Sequence, residues 1–211
     1  MAHALVIGDI DLPSKPILAP LVKDATFVVA ADGGANRAFD AGIAVDWVIG
    51  DLDGVLPEVL ARIPPGRVRK DEDRDHTDLE KAVAFVARRR MRNVVLTGVT
   101  GGRLDHTLGT LATLATWRDR LAMRVVDDHF VTTIVGGSTS FRAPKGTMVS
   151  LVAPAGARGV TTTGLRFPLT DSDLPFSPLG IHNEVARNPV RVRVREGVLY
   201  LMRSHQVRPH A

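Results

Sequence analysis

Four short stretches carry residue types at spacings that could do chemistry. The first is Asp32-Gly33-Gly34 with Asn36. Its glycines permit unusual backbone angles and let a ligand approach the chain, although Asp32 could equally serve as a helix N-cap. The second is Gly50-Asp51-Leu52-Asp53. Two carboxylates two residues apart on a turn can both reach one hard cation, and Mg2+ commonly takes one or two carboxylates together with substrate phosphates. A solvated acidic turn is the plain alternative. The third is Asp75-His76-Thr77-Asp78. Thr77 and Glu80 form a Thr-x-x-Glu capping box, and Asp78 suits the first turn of a helix. A helix start is also an anion site, where acids can act through a metal. His76 reads as an exposed loop residue. The fourth runs from Gly98 to His106, GVTGGRLDH. A glycine-rich loop between strand and helix can cradle phosphates on backbone N–H groups, though this one is neither a Walker box nor G-x-G-x-x-G. Arg103 offers paired donors for a phosphate. Asp105-His106 could bind metal, orient a nucleophile or move a proton.

The elements that must position these residues follow from hydrophobic patterning. Strands are expected at 3–8, 26–31, 47–50, 93–97 and 121–126, and the segment that opens at Arg67 starts strand-like before turning acidic at Asp71. Helical segments are expected near 17–22, at 35–42, at 57–62, from Thr77 onward with Leu79, Ala82, Val83, Val86 and Ala87 on one buried face, and, after the loop ending at His106, through Leu108, Leu111, Ala112 and Ala115 to about Trp117. Alternating strands and helices argue for a parallel sheet with helices on both faces. Both acidic turns then lie at the sheet edge where strand carboxyl ends meet ligands. Three carboxylates gathered there repel one another unless a cation sits among them, which makes the stretch 31–53 part of a metal–phosphate site.

After about Asp128 helical periodicity ends. Short β-rich runs follow at 131–135, 138–142, 147–152 and 159–163, between glycine and proline turns. Val190 to Arg195 alternates apolar and basic residues, as a half-buried strand does. Glu196-Gly197 reads as a two-residue turn, with 198–202 returning as the hairpin partner. The tail at 204–211 reads as frayed. The expected architecture is α/β plus all-β: a parallel-sheet α/β domain at 1–128 and a β-sandwich or barrel at 129–211.

Bulk numbers narrow the classes. Hydrophobic residues are 45% and charged residues 24% of 211, ordinary for a globular protein with a sizeable core. Absence of cysteine excludes disulfides, thiolate metal sites and a thiol nucleophile. No apolar run has transmembrane length, and the start MAHALVIGDIDLP lacks the build of a signal peptide, so no membrane partner and a cytoplasmic location are expected. The formal charge is +4. The densest basic cluster, Arg88-Arg89-Arg90 with Arg92, reads as a solvated helix end, without the interleaved aromatics of a single-strand binder. No nucleic-acid partner is expected.

Taken as a set, DGGAN, GDLDG, DHTDLEKA and GGRLDH, followed by GLRFPL and LGIHNE in the β-rich part, resemble the thiamine pyrophosphokinase family over nearly the whole chain. The resemblance implies transfer of a diphosphoryl group from ATP to the hydroxyl of thiamine, giving AMP and thiamine diphosphate. It implies an α/β catalytic domain, a C-terminal β-sandwich that binds thiamine, and a homodimer with active sites at the subunit interface. Asp32, Asp51, Asp53, Asp75 and Asp78 match acidic positions serving Mg2+ and nucleotide phosphates. Arg103, Asp105 and His106 match a motif near the nucleotide, and Asn183 matches an asparagine beside the thiamine. Gly33, Gly34, Asn36, Thr77, Gly101 and Gly102 then fall to the nucleotide and its phosphates as well. Arg103 offsets charge at the attacked phosphorus, and Asp78 or Asp105 orients the hydroxyl or takes its proton. Two positions depart from the pattern: Gly54 and His182 stand where serine is usual. The change at His182 bears on the acceptor ring and keeps open another hydroxymethyl acceptor, such as a pterin. A non-catalytic nucleotide or thiamine diphosphate sensor is a further alternative, against which the intact acidic set argues.

Overall fold

The computed structural model describes residues 2–207. The chain folds as two compact units that divide after Asp128. The first unit contains, in order, β1 (His3–Ile7), α1 (Lys15–Asp24), β2 (Ala25–Ala31), α2 (Gly34–Asp40), β3 (Trp47–Gly50), α3 (Pro57–Leu60), β4 (Val68–Lys70), α4 (Asp78–Arg88), β5 (Asn93–Thr97), α5 (Leu104–Trp117) and β6 (Ala122–Val126). Its strands pair in parallel in the order β6-β5-β1-β2-β3-β4. Ala4, Leu5, Val6 and Ile7 of β1 are all fully buried. Consecutive strand residues point to opposite faces, so both faces of the sheet centre are covered.

α4 shows why local sequence makes these elements. Thr77, in extended backbone, caps the helix by accepting the Glu80 N–H at 3.3 Å. Helix α4 packs on β1, β2 and β3. Its buried face is Lys81, Ala82, Val83, Phe85 and Val86; the expected face included Leu79 and Ala87, which are only half-buried. A buried lysine replaces part of the apolar stripe, for a reason given by the site below. Helix α2 ends earlier than expected, at Asp40, with Gly42 beyond it at φ +68, the left-handed conformation that ends many helices.

The second unit is β-rich. It contains β7 (Phe130–Val135), β8 (Ser138–Phe141), β9 (Thr147–Val152), β10 (Ala157–Thr163), β11 (Ser172–Leu174), β12 (Asn183–Glu184), β13 (Val190–Arg193), β14 (Glu196–Gly197) and β15 (Leu199–Val207). One sheet runs β12-β9-β15-β7, the other β11-β10-β13-β8, with β14 also on β10. Val149, Leu151, Leu199 and Leu201 from the first meet Val160, Val190 and Val192 from the second in one core, which makes the unit a β-sandwich.

Two expectations fail here. The 190–202 segment is not a hairpin: β13 pairs with β8 and β10, while β15 pairs with β7 and β9 in the other sheet. Glu196-Gly197 is a short rung on β10. The burial pattern gives the reason. β13 alternates buried and exposed residues, as a strand with one covered face does, but Leu199, Tyr200 and Leu201 are buried in succession, as fits a strand covered on both faces. Nor is the tail frayed throughout: Ser204 pairs with Phe130 and Val207 with Thr147. The rest of that expectation lies outside the described residues.

Candidate active site

The loops that follow β1, β2, β3, β4 and β5 all leave the same edge of the first unit's parallel sheet. Asp32 opens the loop after β2 and is held tightly. Its N–H donates to Ile49 O at 2.8 Å and its carbonyl accepts the Ala35 N–H at 2.9 Å. Its φ is +44, uncommon outside glycine. The carboxylate is buried, and Oδ2 accepts the Gly54 N–H at 3.0 Å. Room for it is made by two glycines. A Cβ on Gly50 would stand 2.8 Å from Asp32 Cβ, and one on Gly54 would strike Asp32 Oδ2. Gly54, one of the two departures from the family pattern, thus belongs to the seating of Asp32.

Among the described residues, Oδ1 of Asp32 is buried without a hydrogen-bond partner. Oxygens of Asp51 and Asp78 converge with it, all within 4.8 Å of one another. Burial raises the Asp32 pKa above the ordinary carboxylate value; the Gly33 and Gly54 N–H groups work against this, and Asp78 and Asp51 add repulsion. Asp53 lies just outside the trio. Its N–H donates to Asp51 Oδ1 at 3.2 Å, and its own carboxyl is pushed up, chiefly by the charge of Asp51 and then by a side-chain hydrogen bond to it. An unpartnered buried oxygen among carboxylates fits a hard cation, which takes oxygen ligands and relieves the repulsion.

The fifth expected metal residue, Asp75, is not in the converging group. The loop 71–77 is instead a run of local acid-to-backbone bonds: Asp71 Oδ1 accepts the Asp73 N–H at 3.3 Å and Asp73 Oδ1 accepts the Asp75 N–H at 2.9 Å. His76 Nδ1 lies 2.7 Å from Asp73 Oδ2, and hydrogen bonding to that carboxylate raises the His76 pKa.

Lys81 completes the trio electrically. Nζ is buried and donates to Asp78 Oδ1 and to Asp71 O, each at 3.0 Å. Burial opposes its charge, but Asp78, Asp71 and Asp51 outweigh that and its pKa is raised. Sequence reasoning missed this residue. The available signal was a lysine three residues after a first-turn aspartate, on the face otherwise read as apolar.

The glycines and the asparagine of the first motif have structural duties. A Cβ on Gly34 would strike Ile7 O, and one on Gly33 would strike the Asp9 carboxylate. The close approach they allow is therefore to β1 and the loop after it. Asn36 Nδ2 donates to Gly54 O at 2.8 Å and its Oδ1 accepts the Leu56 N–H at 3.0 Å, so its amide holds the loop after β3. Arg37, also missed, reaches Asp9 Oδ1 at 3.2 Å and Asp11 Oδ1 at 3.3 Å.

The loop after β5 lies two strand spacings from β2, about 10 Å across the sheet. Gly98, at φ +65, packs against the carbonyls of Gly8 and Ile10. Gly101, at φ +95, faces open space. Arg103 clasps Asp105 through Nε at 3.1 Å and Nη2 at 2.6 Å, and that pairing holds the Asp105 carboxyl down to about 2. Two of the five guanidinium N–H groups are thus used by Asp105. His106 is exposed, and its N–H donates to Asp105 Oδ1 at 3.0 Å.

In the second unit, Asn183 is buried and its amide makes three hydrogen bonds. Oδ1 accepts the N–H groups of Phe167 at 3.1 Å and Glu184 at 2.9 Å, and Nδ2 donates to Phe167 O at 2.6 Å. It fixes the Phe167 backbone. His182, exposed and at φ +61, donates its N–H to Ser150 Oγ at 3.2 Å. Phe167 is 63% exposed and Phe176 72%, large rings that pattern reading did not single out.

An acid cluster and an Arg-Asp glycine loop on one carboxyl edge of a parallel sheet are the parts a nucleotide-dependent phosphotransferase requires. Known proteins give that class a family. Residues 18–126 match the thiamin pyrophosphokinase catalytic domain and residues 138–199 its vitamin B1 binding domain. The chain belongs to the thiamin pyrophosphokinase family. Thiamine pyrophosphokinase 1 of Oryza sativa subsp. japonica is 28% identical over 90% of this chain and 83% of its own length. Among solved structures, thiamin pyrophosphokinase from Geobacillus thermodenitrificans is 27% identical with a TM-score of 0.81, covering 98% of both chains. Thiamine pyrophosphokinase from Bacillus subtilis shares the fold, with a TM-score of 0.84 at 23% identity over 97% of this chain and 99% of that one. Neither a pterin acceptor nor a sensor role is favoured by these relatives.

Proposed function

We propose that the protein transfers the diphosphoryl group of ATP to the hydroxyl of thiamine, giving thiamine diphosphate and AMP, with Mg2+ held by Asp32, Asp51 and Asp78. The observation that carries this reading is the buried, unpartnered Oδ1 of Asp32 facing two further carboxylates. When bound there, the ion neutralises the carboxylates and the nucleotide phosphates and draws charge from the attacked phosphorus. In the reaction, the thiamine oxygen bonds to the β-phosphorus, the bond from that phosphorus to the α-phosphate oxygen breaks, and AMP leaves. The hydroxyl proton passes to a nearby base or water.

The chain's own groups prepare these steps. Lys81 holds Asp78 and the Asp71 carbonyl in place. Arg103 presents its remaining donors to phosphate oxygens, with Asp105 fixing the plane of the guanidinium. A carboxyl held near 2 accepts protons weakly at neutral pH, so orientation is the role the geometry of Asp105 supports. Gly101 leaves space beside the loop for the phosphates, Gly102 packs its backbone against Ile10 and offers its N–H, and His106 and Thr77 stand at the starts of the two flanking helices. Asp53 and Asp75 act as outer acids around the metal.

The first unit is then the catalytic domain and the second the thiamine-binding domain, with His182 and the ring set by Asn183, Phe167, on the acceptor side. We further read the protein as a cytoplasmic homodimer with active sites at the subunit interface. The exposed Phe167, Phe176, Leu179 and Ile181 of the second unit support a covered face there. Among the described residues no helix is long and apolar enough to cross a membrane. Incubation with ATP, Mg2+ and thiamine should release AMP and thiamine diphosphate in equal amounts. Release of ADP instead, or no AMP from folded protein, refutes the reading.

A further inference from the structure

The end of the first unit opposite the acid cluster carries a pocket of its own. It has a volume of ≈ 670 Å³ and lies where α4 and α5 finish and β5 and β6 begin. Its walls include Arg88, Arg90, Arg92 and Arg120, with Met91 and the indole of Trp117. None of these four arginines forms an ion pair among the described residues. Arginine at a helix C-terminus complements the helix dipole, which accounts for one such residue per helix end but not for four around one pocket.

Local geometry points the same way. Arg90 follows the α4 cap at φ +61, the left-handed position that glycine normally fills. An arginine there keeps a side chain at a backbone cost. The Arg120 and Leu121 N–H groups both donate to Trp117 O, at 3.0 and 2.9 Å, and this tight turn sets the Arg120 guanidinium 5.6 Å from the indole ring. The indole Nε1–H is buried with no acceptor among the described residues, an arrangement folded proteins rarely leave.

We infer that this pocket is a second, non-catalytic binding site for a small polyphosphorylated compound with a flat aromatic body. The guanidiniums take the phosphates and the indole takes the ring. The site stands independently of the reaction assigned to the opposite edge.

The test is tryptophan emission during titration with inorganic tripolyphosphate in EDTA, with ATP as the second probe. A saturable change is expected that is absent in Trp117→Phe and unaltered in Arg103→Ala, which reports on the opposite edge. Arg90→Gly, which suits the left-handed backbone, and Arg120→Ala should each weaken binding by about tenfold. ATP should bind more tightly than tripolyphosphate, and added salt should weaken both. The proposal is overturned if no saturable change occurs, if Arg90→Gly and Arg120→Ala both bind as the parent does, or if Arg103→Ala abolishes the signal. Equal affinity for the two probes removes the aromatic body from the ligand. Tighter binding of single-stranded DNA than of ATP would replace the small ligand by a nucleic acid.

Discussion

Replacing Asp32 by Asn should make the metal-free protein more stable and the metal-responsive protein less so. Asn tolerates the left-handed backbone at this position, and its Oδ1 can still accept the Gly54 N–H that Asp32 Oδ2 accepts at 3.0 Å. What it removes is one charge from a trio whose oxygens lie within 4.8 Å. At an effective dielectric near 20, two unit charges 4.8 Å apart repel by about 3.5 kcal/mol. Water at half-exposed Asp51 and Asp78, and the Lys81 ammonium on Asp78, reduce that several-fold. A gain of about 1–2 kcal/mol remains, or roughly 2–4 °C of melting temperature for each kcal/mol.

The assay is thermal melting of parent and variant in EDTA and in Mg2+. The parent should gain stability from Mg2+ by mass action, and Asp32→Asn should gain much less. The acid branch has a fixed sign. The folded pKa of Asp32 is raised, so the stability this group contributes is fully present below the unfolded value of 3.8 and is lost as pH rises through the folded value. The variant's advantage in EDTA should therefore be clear at pH 7 and fade in acid. A variant that melts below the parent in EDTA at pH 7, or that keeps the parent's full Mg2+ response, refutes the view of Asp32 as an unneutralised metal ligand.

Lys81→Met should do the opposite in the same melts, lowering metal-free stability by about 1–3 kcal/mol, because it strands Asp78 and the Asp71 carbonyl without their donor. Asn183→Ala should destabilise the second unit by about 2–3 kcal/mol, since three hydrogen bonds are lost; faster amide exchange at Phe167 would report it. The folded pKa of Asp105 is lowered, so its pairing with Arg103 contributes above the unfolded value of 3.8 and is lost as pH falls through about 2. Carboxyl NMR should place the Asp105 midpoint near 2, and Arg103→Ala should return it toward 3.8.

Much of the site can be read from sequence because its signals are local. An aspartate after an apolar run, a glycine beside it and a Thr-x-x-Glu cap each need only a few neighbouring residues, and the strand–helix alternation then places Asp32, Asp51 and Asp78 on one edge. What is hidden depends on distant partners. Nothing local says that Asn183 will engage Phe167, sixteen residues earlier, or that Asn36 will hold the loop at Gly54 and Leu56. Period-two alternation likewise identifies β13 as a strand but is silent on which strand lies beside it, and the adjacent run, which looks like a hairpin partner, pairs in the other sheet. Lys81 was hidden by the opposite error. It sits where helical spacing demands an apolar residue, and only the carboxylate opposite explains it.

The acid cluster is rigid in backbone and unsatisfied in charge, and the two properties belong together. Asp32 is tied to Ile49 and Ala35, Asp71 donates its N–H to Gly50 O, and Asn36 bonds both ends of its amide to the 54–56 loop. Leu52 at φ +72 and Asp32 at φ +44 persist because these bonds over-determine the turns. A flexible loop with the same acids would relax by turning its carboxylates to water, and a cation would then have to gather them at a cost in entropy. Here that cost is met during folding. Lys81 carries enough charge to let the loops close around the trio, yet among the described residues its Nζ bonds to Asp78 and the Asp71 carbonyl alone and leaves Asp32 Oδ1 open to the proposed ion.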